Sequence, residues 1–207
     1  MSAAHGEQVL LLEVHGQEGE RSINWWGMIF FIASEALIFA NLIAAYLYLE
    51  IRDGGHVWSI AKLLDTWWLS GINTGILLIS SAFMHMAGSG IRKGNQKQAI
   101  WGLVITIALG LIFLGGQAFE YTELFNRGFD LQAGTFGSAF FSLTGFHGLH
   151  VTIGAIFLLI CLIRTIRGDF TEKKHFALQA GEMYWHFVDV VWVFVFTVVY
   201  LVPLLRG

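Results

Sequence analysis

The chain predicts an all-α fold, an integral membrane bundle of five transmembrane helices, and three observations carry that prediction. Of its 207 residues, 56% are hydrophobic and only 13% are charged. That balance leaves too little polar surface for a water-soluble domain of this size. The apolar residues also fall into five runs, each reaching the ~20 residues a helix needs to cross the hydrocarbon layer. Finally, the links between runs are short and polar, which makes consecutive helices antiparallel neighbours. A net charge of −3, mixed in sign, excludes a nucleic-acid surface. Cys161 is the only cysteine, which excludes an intrachain disulfide framework.

Residues 1–23 form a polar, acidic tail carrying Glu7, Glu13, Glu18 and Glu20. The run Val9-Leu10-Leu11-Leu12 is too brief for a signal-peptide core, so no cleaved leader is expected. His5 and His15 read as solvated tail residues. The remainder, 24–207, reads as one five-helix domain without internal repeats, its helices near 24–50, 66–91, 98–125, 136–166 and 180–204. Arg52-Asp53-Gly54-Gly55, Arg92-Lys93-Gly94-Asn95, Arg127-Gly128-Phe129-Asp130 and the segment from Arg167 to Lys174 link them. The single proline, Pro203, stands at the chain end, so no proline kink is expected.

Lys and Arg counted on alternate sides give eight (Arg21, Arg92, Lys93, Lys97, Arg164, Arg167, Lys173, Lys174) against four (Arg52, Lys62, Arg127, Arg206). The excess places the N-terminus in the cytoplasm and the C-terminus outside. Trp25, Trp26, Trp58, Trp67, Trp68 and Trp101 fall near helix ends, where indoles favour the interface. Small residues such as Gly71, Gly75, Gly115, Gly116, Gly145, Gly148 and Gly154 punctuate the helices. In lipid, close approach at such residues is how helices pack.

Ionisable groups inside these runs are the candidate functional residues, because burying them in hydrocarbon is costly. Glu35 lies about 16 Å along the first helix, close to mid-bilayer, and is expected to hydrogen-bond His147 or His150. Those two histidines, spaced i, i+3, share roughly one face of the fourth helix. Gln117 and Glu120 stand a turn apart on the third. Glu120 falls near the outer surface and reads as an interfacial or helix-end residue. His186 and Asp189, again at i, i+3, read as a mutually satisfying carboxylate–imidazole pair. A metal or haem would need further ligands at matching depth. His85 and His186 lie a turn or more away from the His147 pair, and one cysteine cannot build a thiolate site. Buried, hydrogen-bonded histidines are therefore the expectation, with no metal, cofactor or catalytic group on this chain.

Five motifs in order carry a resemblance. They are Phe31-Ile32-Ala33-Ser34-Glu35-Ala36; Asn73-Thr74 with Ser80-Ser81; Gly110-Leu111-Ile112-Phe113-Leu114 with Gln117 and Glu120-Tyr121; Leu143-Thr144-Gly145-Phe146-His147-Gly148-Leu149-His150-Val151; and Tyr184-Trp185-His186-Phe187-Val188-Asp189-Val190-Val191-Trp192. Together they resemble subunit III of the haem-copper respiratory oxidases, the cytochrome c oxidase family. The resemblance implies a subunit without redox centres, docked on catalytic subunit I and on subunit II, with haem and copper held by those partners. It implies support of proton uptake and contact with phospholipid, with Glu35, Glu120, His147, His150, His186 and Asp189 as the supporting polar groups. The family's catalytic core uses six histidines for haem and copper, and only four here lie within the spans. The copper site of subunit II uses two cysteines, and this chain has one.

Many family members have seven helices, and this chain begins at the equivalent of the third. An extended partner would then wall the lipid cleft. The five-helix form implies a bacterial inner membrane, with membership of a larger respiratory supercomplex open. The resemblance favours cytochrome c as electron donor. A quinol oxidase subunit and a nitric oxide reductase accessory protein stand as alternatives. A proton-coupled carrier using Glu35, His147, His150 and Asp189 is the reading from another class, but neither inverted repeats nor broken helices are visible.

Overall fold

The computed structural model describes residues 23–53, Trp58, 68–172 and 174–206. The acidic tail with His5 and His15, and also Gly54, Gly55, Lys62, Trp67 and Lys173, lie outside the described residues. Five helices are long and apolar enough to cross a membrane, and no strand occurs among the described residues. They are α1 (Ile23–Arg52), α2 (Trp68–Arg92), α3 (Gln96–Asn126), α4 (Gly134–Ile166) and α5 (Phe176–Phe196). A π-helical turn, Thr197–Leu201, continues α5 into the short α6 (Val202–Arg206).

The chain divides into two compact units between Ser34 and Glu35. In the first, the described residues are the opening turns of α1. There Ser34 Oγ donates to the Phe31 carbonyl at 2.7 Å and the Trp25 and Trp26 rings meet edge to face. The second unit holds everything from Glu35 onward.

Local chemistry explains where the elements start and stop. Asn95 caps α3, its side chain accepting from the Gln98 backbone N–H at 3.1 Å, which satisfies one of the helix's orphan donors. The α2–α3 turn passes through Gly94 at a φ of 68°, a conformation that costs other residues dearly. The end of the fifth span departs from the expectation of an unbroken helix. Pro203 has no N–H to give the Val199 carbonyl and its ring would crowd that oxygen. The backbone widens just ahead of it, and the Val202 N–H reaches back five residues to Thr197. A proline at the chain end still reshapes the turn before it.

Helices α2, α3, α4 and α5 close into a ring, with α2–α3, α3–α4, α4–α5 and α5–α2 in contact. Its interior holds Leu77, Met84, Leu103, Phe113, Phe140, Val151, Leu158, Trp185, Val188 and Val195, all fully buried or nearly so. Trp185 is the clearest case of sequence dictating this packing. Its indole would overlap a Cβ on Gly110 of α3 and crowd one on Gly154 of α4. Two glycines thus clear room for one large ring, and dispersion over that contact replaces the hydrophobic force that lipid does not supply. From Glu35 onward α1 buries Phe39, Tyr46 and Glu50, while Leu37, Ile38, Tyr48 and Ile51 stay exposed.

Candidate functional site

The polar residues of the second unit form a ladder between α2 and α5, and it begins with hydroxyls that bond their own helix. Thr74 Oγ1 donates to the Ser70 carbonyl at 2.8 Å and Ser80 Oγ to the Leu77 carbonyl at 2.6 Å. A hydroxyl has one proton, so each oxygen is left as an acceptor. Two indoles of α5 take them up: Trp185 Nε1 donates to Ser80 Oγ and Trp192 Nε1 to Thr74 Oγ1, both at 2.9 Å. Seven residues on α5 and six on α2 separate these rungs, the register of antiparallel helices. A further rung lies beyond each. Toward the start of α5, Ser81 Oγ meets His186 Nδ1 at 2.5 Å, and Glu182 takes Arg92 Nη1 at 2.9 Å and His85 Nδ1 at 3.2 Å. Toward the end, Ser70 Oγ and Tyr200 Oη both donate to Glu120 of α3 at 2.7 Å. Interhelical hydrogen bonds of this kind contribute roughly 0.6–2 kcal/mol each within a bilayer.

A second polar contact ties α1 to α4. His150 Nδ1 lies 2.8 Å from the Phe146 carbonyl and His150 Nε2 lies 2.9 Å from Glu35 Oε2. A carbonyl only accepts, so Nδ1 carries a proton. The Nε2–Oε2 contact then holds one further proton, on either the imidazole or the carboxyl group. This is a proton-sharing pair, with Glu35 side-chain exposure at 18% and His150 at 8%. Phe39 covers it, its ring centroid 4.9 Å from that of His150.

The chemistry of this arrangement is hydrogen bonding between helices, plus one pair able to hold a proton. Two comparisons place it. Residues 8–203 match the family model described as Cytochrome c oxidase subunit III. The chain belongs to that family. Among its relatives, the cytochrome c oxidase subunit 3 of Marchantia polymorpha is 42% identical over 180 residues, covering 84% of this chain and 67% of the relative. That of Cyprinus carpio is 42% identical and that of Pan troglodytes 43%, each again over 84% of this chain and 68% of its own length. As a member of this family with five spanning-length helices, the chain is a multi-pass membrane protein.

For this subunit III relative, the structure alters several expectations drawn from sequence. Glu35 does meet a histidine of α4, and that histidine is His150. Residues three apart differ by about 60° around a helix, so His147 points elsewhere, into the ring interior. It is fully buried, and among the described residues neither ring nitrogen has a hydrogen-bond partner. Its neighbours are aromatic: Trp192 at 4.6 Å between ring centroids and Phe113 at 5.9 Å. The expectation of a hydrogen-bonded His147 is therefore corrected. So is the His186–Asp189 pair. Ser81 of α2 reaches the imidazole, and Asp189, buried, has no partner for either carboxylate oxygen. Glu120 is covered by other helices and not left open at a helix end. It is only 6% exposed, because Tyr200 of the π-helical turn and Ser70 of α2 close over it.

Glu182 went unread in the sequence, although it shares the i, i+4 spacing with His186 that puts two side chains on one helix face. Ser70 and Tyr200 gave no signal, since their role depends on the π-helical turn and on the third helix between them. Asn73 had one: it stands opposite Gly116, where a Cβ would overlap its amide, and it donates to the Phe113 carbonyl at 3.4 Å.

Proposed function

We propose that this chain is the non-redox subunit III of a proton-pumping cytochrome c oxidase. It docks on the catalytic subunit I and on subunit II, which hold the haem and copper, and it stabilises the subunit that carries the chemistry. The observation that supports this most strongly is the family match over residues 8–203, joined to a ladder whose polar groups are spent on holding helices together. On this reading the N-terminus is cytoplasmic and the C-terminus outside, in a bacterial inner membrane. Glu35 and His150 then sit near mid-membrane as a proton-sharing pair that supports sustained turnover next to the proton-uptake path. A stretch of a phospholipid acyl chain would lie in the mostly apolar groove of about 240 Å³ between α1 and α4, lined by Leu42, Tyr46, Leu49, Ala139 and Leu143.

The test is purification through a tag on this chain in mild detergent. The expected result is co-elution of a haem-bearing subunit and a subunit with a dinuclear copper centre. Haem without that copper centre would point to a quinol oxidase. Elution of this chain alone would overturn the proposal.

A further inference from the structure

The cluster at the start of α5 contains three groups whose donors suit a metal ion. One donor atom each from His85, Glu182 and His186 lie within 4.8 Å of one another, the first from α2 and the other two from α5. Two imidazole nitrogens and one carboxylate oxygen are the donor set that zinc takes in open sites, with water in the fourth position. Several details of the surroundings match such a site. His85 Nδ1 and Glu182 Oε1 are 3.2 Å apart. Two ligands of one tetrahedral zinc, each about 2.0–2.2 Å from the metal, stand about 3.4 Å apart. The proton now shared between those atoms therefore occupies nearly the place an ion would.

Outer-sphere contacts are in position as well. Arg92 Nη1 holds Glu182 Oε2 at 2.9 Å, which leaves Oε1 for the ion. Ser81 holds His186 by Nδ1, which leaves Nε2 to ligate. Groups of this kind fix the orientation of ligands around a metal. Gly88 completes the cradle: a Cβ there would overlap the Glu182 carboxylate, so the glycine gives that side chain its room. The His85 side chain is 70% exposed while that of Glu182 is 9% exposed, so the cluster joins an outward-facing imidazole to a buried carboxylate oxygen.

We propose that His85, Glu182 and His186 form a divalent transition-metal site able to hold zinc between the end of α2 and the start of α5. Its occupation replaces the shared His85–Glu182 proton and clamps the two helices together. This departs from the sequence expectation of no metal on the chain, which had not brought Glu182 into the count.

The probe is zinc itself. The detergent-solubilised protein, with whatever subunits copurify, is stripped with chelator and dialysed against graded free zinc. Bound metal is counted for the parent, for His85→Ala and for Glu182→Gln. The expected result is one zinc per chain that the parent holds and each variant binds at least tenfold more weakly, together with an anomalous zinc peak between the three side chains. His85→Ala removes a mostly exposed side chain, so that variant remains informative if Glu182→Gln does not assemble. Equal zinc content in parent and His85→Ala, or zinc peaks only elsewhere, would overturn the proposal. This count is independent of which oxidase subunits are present.

Discussion

Glu120 and Asp189 are both carboxylates buried in the same helical ring, and the protein treats them oppositely. Glu120 receives hydroxyl protons from Ser70 and Tyr200 at 2.7 Å each. Asp189 is 3% exposed yet has no hydrogen-bond partner among the described residues. The Ser81 hydroxyl is its nearest polar neighbour but does not meet hydrogen-bond geometry toward either oxygen. Buried polar groups are almost always satisfied, because leaving one unpaired costs about 1–3 kcal/mol. Glu120 is thus an architectural group whose removal strands its partners. Asp189 has no comparable pair of donors, so a neutral side chain of the same shape should serve the architecture as well.

The largest effect that bears on this contrast is expected from Glu120→Ala. It leaves two buried hydroxyls without an acceptor, and the bundle should lose about 2–4 kcal/mol, read as an earlier transition in a detergent denaturation series. If the variant matches the parent, the Ser70–Glu120–Tyr200 node is not a clamp. The smallest effect is expected from Asp189→Asn, which keeps the shape and removes the charge. Its stability should stay within about 0.5 kcal/mol of the parent or rise. A loss as large as that of Glu120→Ala would mean that Asp189 has a partner in the assembled protein and that the contrast belongs to the isolated chain.

The same contrast shows which parts of the molecule were legible from sequence. The helices were, because hydrocarbon thickness forces a run of apolar residues that no other feature imitates. Gly154 signalled close packing, but the sequence pointed neither to Gly110 as a packing site nor to Trp185 as the ring that meets both glycines. Helical spacing along a single helix served less well. It joined His186 to Asp189 and His147 to His150, but partners in this bundle come from facing helices: Ser81 for His186, Glu35 for His150. Glu120 was misplaced for a related reason. Counting residues from a helix end gives depth, and depth does not reveal that another helix covers the group. Pro203 changed the outcome too, since the π-helical turn it induces carries Tyr200, buried against Glu120.

If the buried polar groups of this chain support a neighbour and perform no redox chemistry themselves, Glu35 is the residue whose loss should show it. Glu35→Ala removes the carboxylate from His150 and leaves the α2–α5 ladder untouched. The decisive measurement is the haem absorbance spectrum of the purified complex together with the amount of this chain per catalytic subunit, before and after prolonged turnover. The account expects an unchanged haem spectrum, with this chain lost from the complex or activity decaying several times faster during turnover. An altered or missing haem spectrum, with this chain still fully retained, would contradict it.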